Sequence, residues 1–302
     1  GFTRDMIEGV EIRPLTELHE MEEVEALQRL VWNEAAIQSH LMIAFVRNGG
    51  NLIGAIKDGR IVGFVFGYLG VESPEARRPA MANLKLASQR MAVLPEFRDS
   101  GIGYELKLAQ RNFAIAQGIR LITWTSDPVL SRNAYLNIRK LGAIVREYRR
   151  DYYGNRAAPQ VTLGTSDRLI LEWWITSHRV KQRVEGTRGG LGIPQYLGAG
   201  ANVINLAHSG TDGFLYPNLE ISPPTGEIML VEIPDNIMEI IAQQPSLARA
   251  WRQHVREVLG WAISSGFAVT DFMRGPLEGC TRSLYALTRY YEGVSGVGFS
   301  SN

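Results

Sequence analysis

The chain has 302 residues, 45% of them apolar and 21% charged, with a formal net charge of +1 at pH 7. That length supports one large or two ordinary domains with an ample core. The near-neutral balance gives no bulk field for nucleic acid or an anionic membrane surface, and no apolar run of about 18 residues suits a spanning helix. Cys280 is the only cysteine, so no internal disulfide can form. No basic segment followed by an apolar one opens the chain, and the expected compartment is the cytoplasm.

In chain order, residues 10–14 read as a strand. Residues 16–32 read as a helix, because Leu18, Met21, Val24, Leu27, Leu30 and Val31 keep close to a 3.6-residue period. Two strand-like runs, 51–56 and 61–69, are joined by Lys57-Asp58-Gly59-Arg60, whose Asp-Gly is a hairpin signal. A loop with Pro74, Arg77, Arg78 and Pro79 follows, its arginines either a solvated face or phosphate contacts. Residues 88–93 form the next strand. Residues 104–117 form a helix with Leu106, Ala109, Phe113 and Ala116 on one face and Gly118 as its stop. A strand at 121–125, a helix at 131–141 ended by Gly142 and a strand at 144–153 complete a β-α-β-β-β-α-β-α-β order, a mixed sheet with helices on its faces.

The texture changes from Gly154. Strands are expected at 168–176, 227–233, 267–273 and 283–291. A helix at 245–264 carries an apolar stripe through Trp251, and the glycine-dense stretch 186–200 reads as a loop or lid. The expected division is a first domain at 1–153 and a second, smaller α/β domain at 154–302.

The five histidines are scattered with no pair at helical ligand spacing, so no metal is expected. Cys280 has no companion that would lower its pKa, and no Gly-x-Ser-x-Gly elbow is present. The distinctive stretch is EFRDSGIGYELK at 96–107, where Arg98, Gly101 and Gly103 fall between a strand and a helix. Glycines there let backbone amides approach a ligand closely. The helix start adds unpaired N–H groups and the positive end of its dipole. The result suits a diphosphate. A strand-to-helix loop that merely needs glycine is the alternative. The stretch lacks the third glycine of the dinucleotide fingerprint and the Gly-Lys-Ser/Thr of a P-loop.

The run Val93-Leu94-Pro95-Glu96-Phe97-Arg98-Asp99-Ser100-Gly101-Ile102-Gly103 resembles the pyrophosphate loop of the GNAT superfamily of acyl-CoA-dependent N-acyltransferases. Ser131-Arg132-Asn133-Ala134 with Lys140-Leu141-Gly142 resembles the family's second motif, and the likeness covers roughly 10–153. Ile122-Thr123-Trp124-Thr125 and Asp127-Pro128 also resemble a bacterial subgroup of predicted acetyltransferases with a long C-terminal extension.

The resemblance implies a mixed, mostly antiparallel sheet flanked by helices. It further implies acyl-CoA held by the backbone of Met91 and Val93 and by the loop Arg98, Asp99, Ser100, Gly101, Ile102 and Gly103, with Asn133 at the cofactor or as a helix cap. The usual acid, a tyrosine four residues before the closing glycine, is replaced by Ile138; Tyr135 stands in as the candidate. Asp127 is the candidate base and Glu172 a weaker one. Trp173, Trp174, Arg274 and 186–200 are candidate acceptor-lining residues.

The implied activity is transfer of an acetyl or succinyl type of group to an amine. A small molecule such as an amino acid is favoured, because an α-amine of pKa about 8 sheds its proton at modest cost. Two alternatives stay open: a non-catalytic CoA-binding or regulatory module, and an interaction protein docking through the Trp251 helix. A homodimer also stays open.

Overall fold

A computed structural model describes residues 7–32, 36–72, 79–154, 166–186 and 190–289. Pro74, Arg77, Arg78 and the end of the expected 283–291 strand lie outside the described residues. The chain divides into two compact units, Gly1–Trp124 and Thr125–Asn302.

The first unit contains β1 (Val10–Pro14), α1 (Leu18–Trp32), α2 (Ser39–Arg47), β2 (Asn51–Lys57), β3 (Arg60–Val71), β4 (Leu84–Val93), α3 (Ile102–Ala116) and the start of β5 (Leu121–Ser126). Its strands lie in the order β1-β2-β3-β4-β5. The β2–β3 link is a two-residue turn closed by Lys57 opposite Arg60. Asp58 and Gly59 have φ of 51° and 74°, the pair of left-handed residues that a type I′ hairpin turn demands.

The strands through β4 pair antiparallel, whereas β4 and β5 run parallel. Met21, Val24 and Leu27 of α1 and Ile102 and Leu106 of α3 are buried in one core with Leu52, Ile53, Phe64, Val65 and Phe66 of the sheet. Strand residues lying next to each other in sequence, such as Phe64, Val65 and Phe66, are all buried, so this part of the sheet is apolar on both faces.

The second unit holds α4 (Ser131–Ala134), β6 (Ile144–Arg149), β7 (Arg168–Trp174), α5 (His178–Val184), α6 (Ile193–Gly198), β8 (Asn202–Val203), β9 (His208–Ser209), β10 (Leu215–Tyr216), β11 (Ile228–Ile233), α7 (Ile237–Gln243), α8 (Pro245–Ser264), β12 (Phe267–Leu277) and β13 (Cys280–Arg289). Strands β7-β6-β12-β13-β11-β8 lie side by side. All of these pairings are antiparallel except β8 with β11.

Two expectations change. The helix expected at 131–141 is a single α turn, α4, followed by a wider π-helical stretch, Tyr135–Lys140. The glycine-dense 186–200 is not simply a loop: it contains α6, which starts with Pro194 in its first turn. The compact units divide between Trp124 and Thr125, and β6 pairs with β7 and β12 within the second of them.

Candidate functional site

Strand β4 carries an unusual edge. Leu94 N–H donates to Val62 O at 2.8 Å, which fixes the phase of the β3–β4 ladder. Alternation then makes Ala92–Phe64 and Arg90–Phe66 hydrogen-bonded pairs and Val93–Gly63 and Met91–Val65 non-bonded ones. The amides and carbonyls of Met91 and Val93 therefore face away from β3. On that far edge β5 pairs only at Leu86–Ile122 and Ala87–Thr123, so β4 and β5 part after residues 87 and 123.

The cradle follows directly. Pro95–Phe97 makes a tight 3₁₀ turn, and Arg98 N–H is spent on Pro95 O at 3.3 Å. The Arg98 side chain is exposed beside the loop. Asp99 has φ 64°, and the Ser100 hydroxyl donates to Phe97 O. Gly101 has φ 86° at the N-cap of α3, where no side chain caps the helix. The amides of Ile102 and Gly103 thus emerge with no intrahelical acceptor. A Cβ on Gly101 would meet only Ile7 Cδ1, at 3.7 Å; glycine is needed there for its backbone angle. A peptide-like edge and a helix N-terminus succeed one another along a single path.

Residues 13–137 match the family model described as the Acetyltransferase (GNAT) family. They are an acetyltransferase domain of that family. The chain is also similar to solved structures. Chaetomium thermophilum Naa20 in complex with a bisubstrate analogue is 16% identical, covering 62% of this chain and 98% of that one, at a TM-score of 0.45. An N-acetyltransferase from Staphylococcus aureus Mu50 is 16% identical, covering 55% and 99%, at 0.44. A GNAT family acetyltransferase from Elizabethkingia anophelis with acetyl-CoA bound is 16% identical, covering 55% and 99%, at 0.38. No curated protein matches the chain.

Within the GNAT domain the first unit also holds a buried polar line that the sequence did not reveal. Lys107 of α3 is 2% exposed. Its Nζ donates to Ser88 Oγ at 2.9 Å and Gln110 Oε1 at 3.3 Å and stands 3.6 Å from the centroid of the Trp124 ring. Gln110 Nε2 donates on to Asn51 Oδ1 at 3.3 Å, and Asn51 Nδ2 is buried with no partner. Burial alone holds the Lys107 ammonium well below the ordinary lysine range. The sequence put Leu106, Ala109, Phe113 and Ala116 on the core face of α3. Ala109 and Phe113 do pack against the core, but Ala116 is exposed. The missed signal is a second buried stripe, Lys107, Gln110, Arg111 and Ala114, at helical spacing.

The remaining candidate site residues lie in the second unit. Asn133 and Tyr135 are both exposed, and Ile138 is buried in the π-helical stretch. Asp127 is buried and accepts from Arg252 Nη1 and Nη2 of α8 at 3.1 and 2.8 Å. It also accepts from Val129 N–H at 3.1 Å. A carboxylate held this way clamps the turn after β5 to α8. Glu172 is likewise engaged, by both Arg146 Nε, at 2.8 Å, and Arg146 Nη2. Of the candidate acceptor-lining residues, Trp173 is fully buried with its indole N–H on Leu141 O at 2.7 Å, and Arg274 is paired with Asp235 at 2.7 Å. Trp251 is fully buried, so the stripe on α8 serves its own unit's core.

Proposed function

We propose that the chain is an N-acyltransferase that moves an acetyl or succinyl type of group from acyl-CoA to the amine of a small molecule such as an amino acid. The observation that carries this reading is the succession of the outward-facing Met91–Val93 edge and the Gly101 cradle. An amide-bearing arm can pair with the first as an added strand, and the second receives a diphosphate. Acyl-CoA bound there would supply an activated thioester. Met91 and Val93 would orient the arm through their backbones. Gly101, Ile102 and Gly103 would hold the phosphates with their amides, beside Asp99 and Ser100 in the same turn, and the Arg98 fork would reach them from outside. Roles for Asn133 and Tyr135 rest on the family resemblance alone.

Calorimetric titration with coenzyme A, followed by thiol release from acetyl-CoA and succinyl-CoA across a panel of amino acids, tests the proposal. Absence of binding sinks it. Binding without release for any amine would favour the second reading, a CoA-binding module without turnover, toward which the engaged carboxylates of Asp127 and Glu172 already point.

A further inference from the structure

The place where β4 and β5 part is occupied. The last paired residues are Ala87 and Thr123, so the first residues beyond the fork are Ser88 on one strand and Trp124 on the other. Lys107 Nζ touches both, at 2.9 Å from the Ser88 hydroxyl and 3.6 Å from the Trp124 ring centroid. The fork is also where the β3–β4 ladder shifts register, between Phe66 and Gly67, leaving Gln89 as an extra residue. Bulges of this kind re-aim side chains next to active sites.

The path from the cradle leads to the same point. An arm anchored at the start of α3 and running back along β4 from Val93 has a reach of about 16 Å, roughly five residues of strand. The sulfur of such an arm would come level with Ser88 and Gln89. We propose that Lys107, whose amine stands at the fork, is the catalytic proton carrier for the coenzyme A sulfur, an assignment that rests on the acyltransferase reading above.

The amine suits the task because burial favours its uncharged form, which keeps a lone pair and N–H donors together. The acceptor enters as the free amine. Lys107 takes the acceptor nitrogen's proton, through the Ser88 hydroxyl, as the carbon–nitrogen bond forms. It returns that proton to the sulfur as the carbon–sulfur bond breaks and the electron pair leaves with sulfur. The lysine begins and ends neutral, so the transfer needs no other reagent. Other titratable or charged groups on the packed elements are Lys57 of β2, Arg60 and Tyr68 of β3, Lys85 and Arg90 of β4, and Tyr104, Glu105 and Arg111 of α3. Arg90 is held by Gln28 Oε1 at 2.9 Å and stacks over Trp32. Leu121 to Trp124 of β5 contribute none.

The test uses the full chain and free coenzyme A, following thiolate absorbance in the ultraviolet across about pH 5 to 10. The bound thiol of the wild type is expected to titrate about one unit or more below free coenzyme A, since the amine can accept its proton. Lys107→Gln abolishes that displacement, while Tyr135→Phe and Ser88→Ala retain it. A wild-type bound thiol that titrates like the free coenzyme, with normal calorimetric binding, overturns the assignment even if Lys107→Gln fails to fold. A displacement that persists in a folded Lys107→Gln protein does so as well. Absence of coenzyme binding is a different result, which removes the acyltransferase reading itself.

Discussion

Gly101 sits at φ 86°, a backbone angle that an ordinary L-residue adopts only at a cost of about 1–2 kcal/mol. Gly101→Val should therefore open the turn and weaken coenzyme A binding about tenfold by calorimetry. Gly101→Asn, which tolerates the left-handed region, should lose less. Lys107 gives a pH-dependent expectation of opposite character. Its folded pKa is depressed by burial, so the unfolded chain binds more protons below the ordinary lysine pKa, and the burden on stability grows as pH falls toward the folded value. Lys107→Met should melt at a higher temperature than the wild type near pH 7, and the gap should narrow as pH rises toward 10; a gap that widens with pH would refute the burial argument. Sequence reading exposed Gly101 and Gly103 because glycine signals backbone geometry directly. It did not expose Lys107, Gln110 and Asn51, because a lysine beside a glutamine on a helix looks like a solvated face until the packing partner is known.

At the level of single elements, the phase of β4 makes a sharp forecast. The amide of Ala92 belongs to the β3 ladder and that of Met91 to the open edge. Proline at 92 strips a partner from the buried Phe64 carbonyl, a loss of about 1–3 kcal/mol before any ring clash. Proline at 91 removes only an edge donor. In chemical denaturation Ala92→Pro should be markedly destabilised. Met91→Pro should stay folded yet bind coenzyme A weakly; the reverse ranking would mean that the edge faces the other way. The hairpin at Asp58–Gly59 was legible because that dipeptide names its own turn type. The π-helical stretch at 135–140 was not, since its residues fit an α pattern and the wider winding depends on how Asn137 and Ile138 are buried.

Across the whole chain, the two compact units meet the sequence in an uneven way. The first was legible from the Asp58-Gly59 hairpin and two amphipathic helices, although α2 was not among the expected elements. The change of texture at Gly154 does not coincide with the division between the compact units, because strand pairing over a long sequence separation, as between β6 and β12, leaves no local mark. The second unit depends on a buried ion pair, Asp127 with Arg252. Asp127→Ala strands the guanidinium and should cost about 3–5 kcal/mol by denaturation; pairing it with Arg252→Met should recover most of that. A mere catalytic role would leave stability untouched. The division at Trp124 falls inside β5, where Thr123 and Ser126 are buried, whereas most domain junctions are exposed linkers. Brief subtilisin treatment should accordingly yield no fragment ending within 121–126, since a protease needs several residues of pliant backbone to thread its cleft. A shuffled or truncated version of the chain must therefore carry β5 intact on one side.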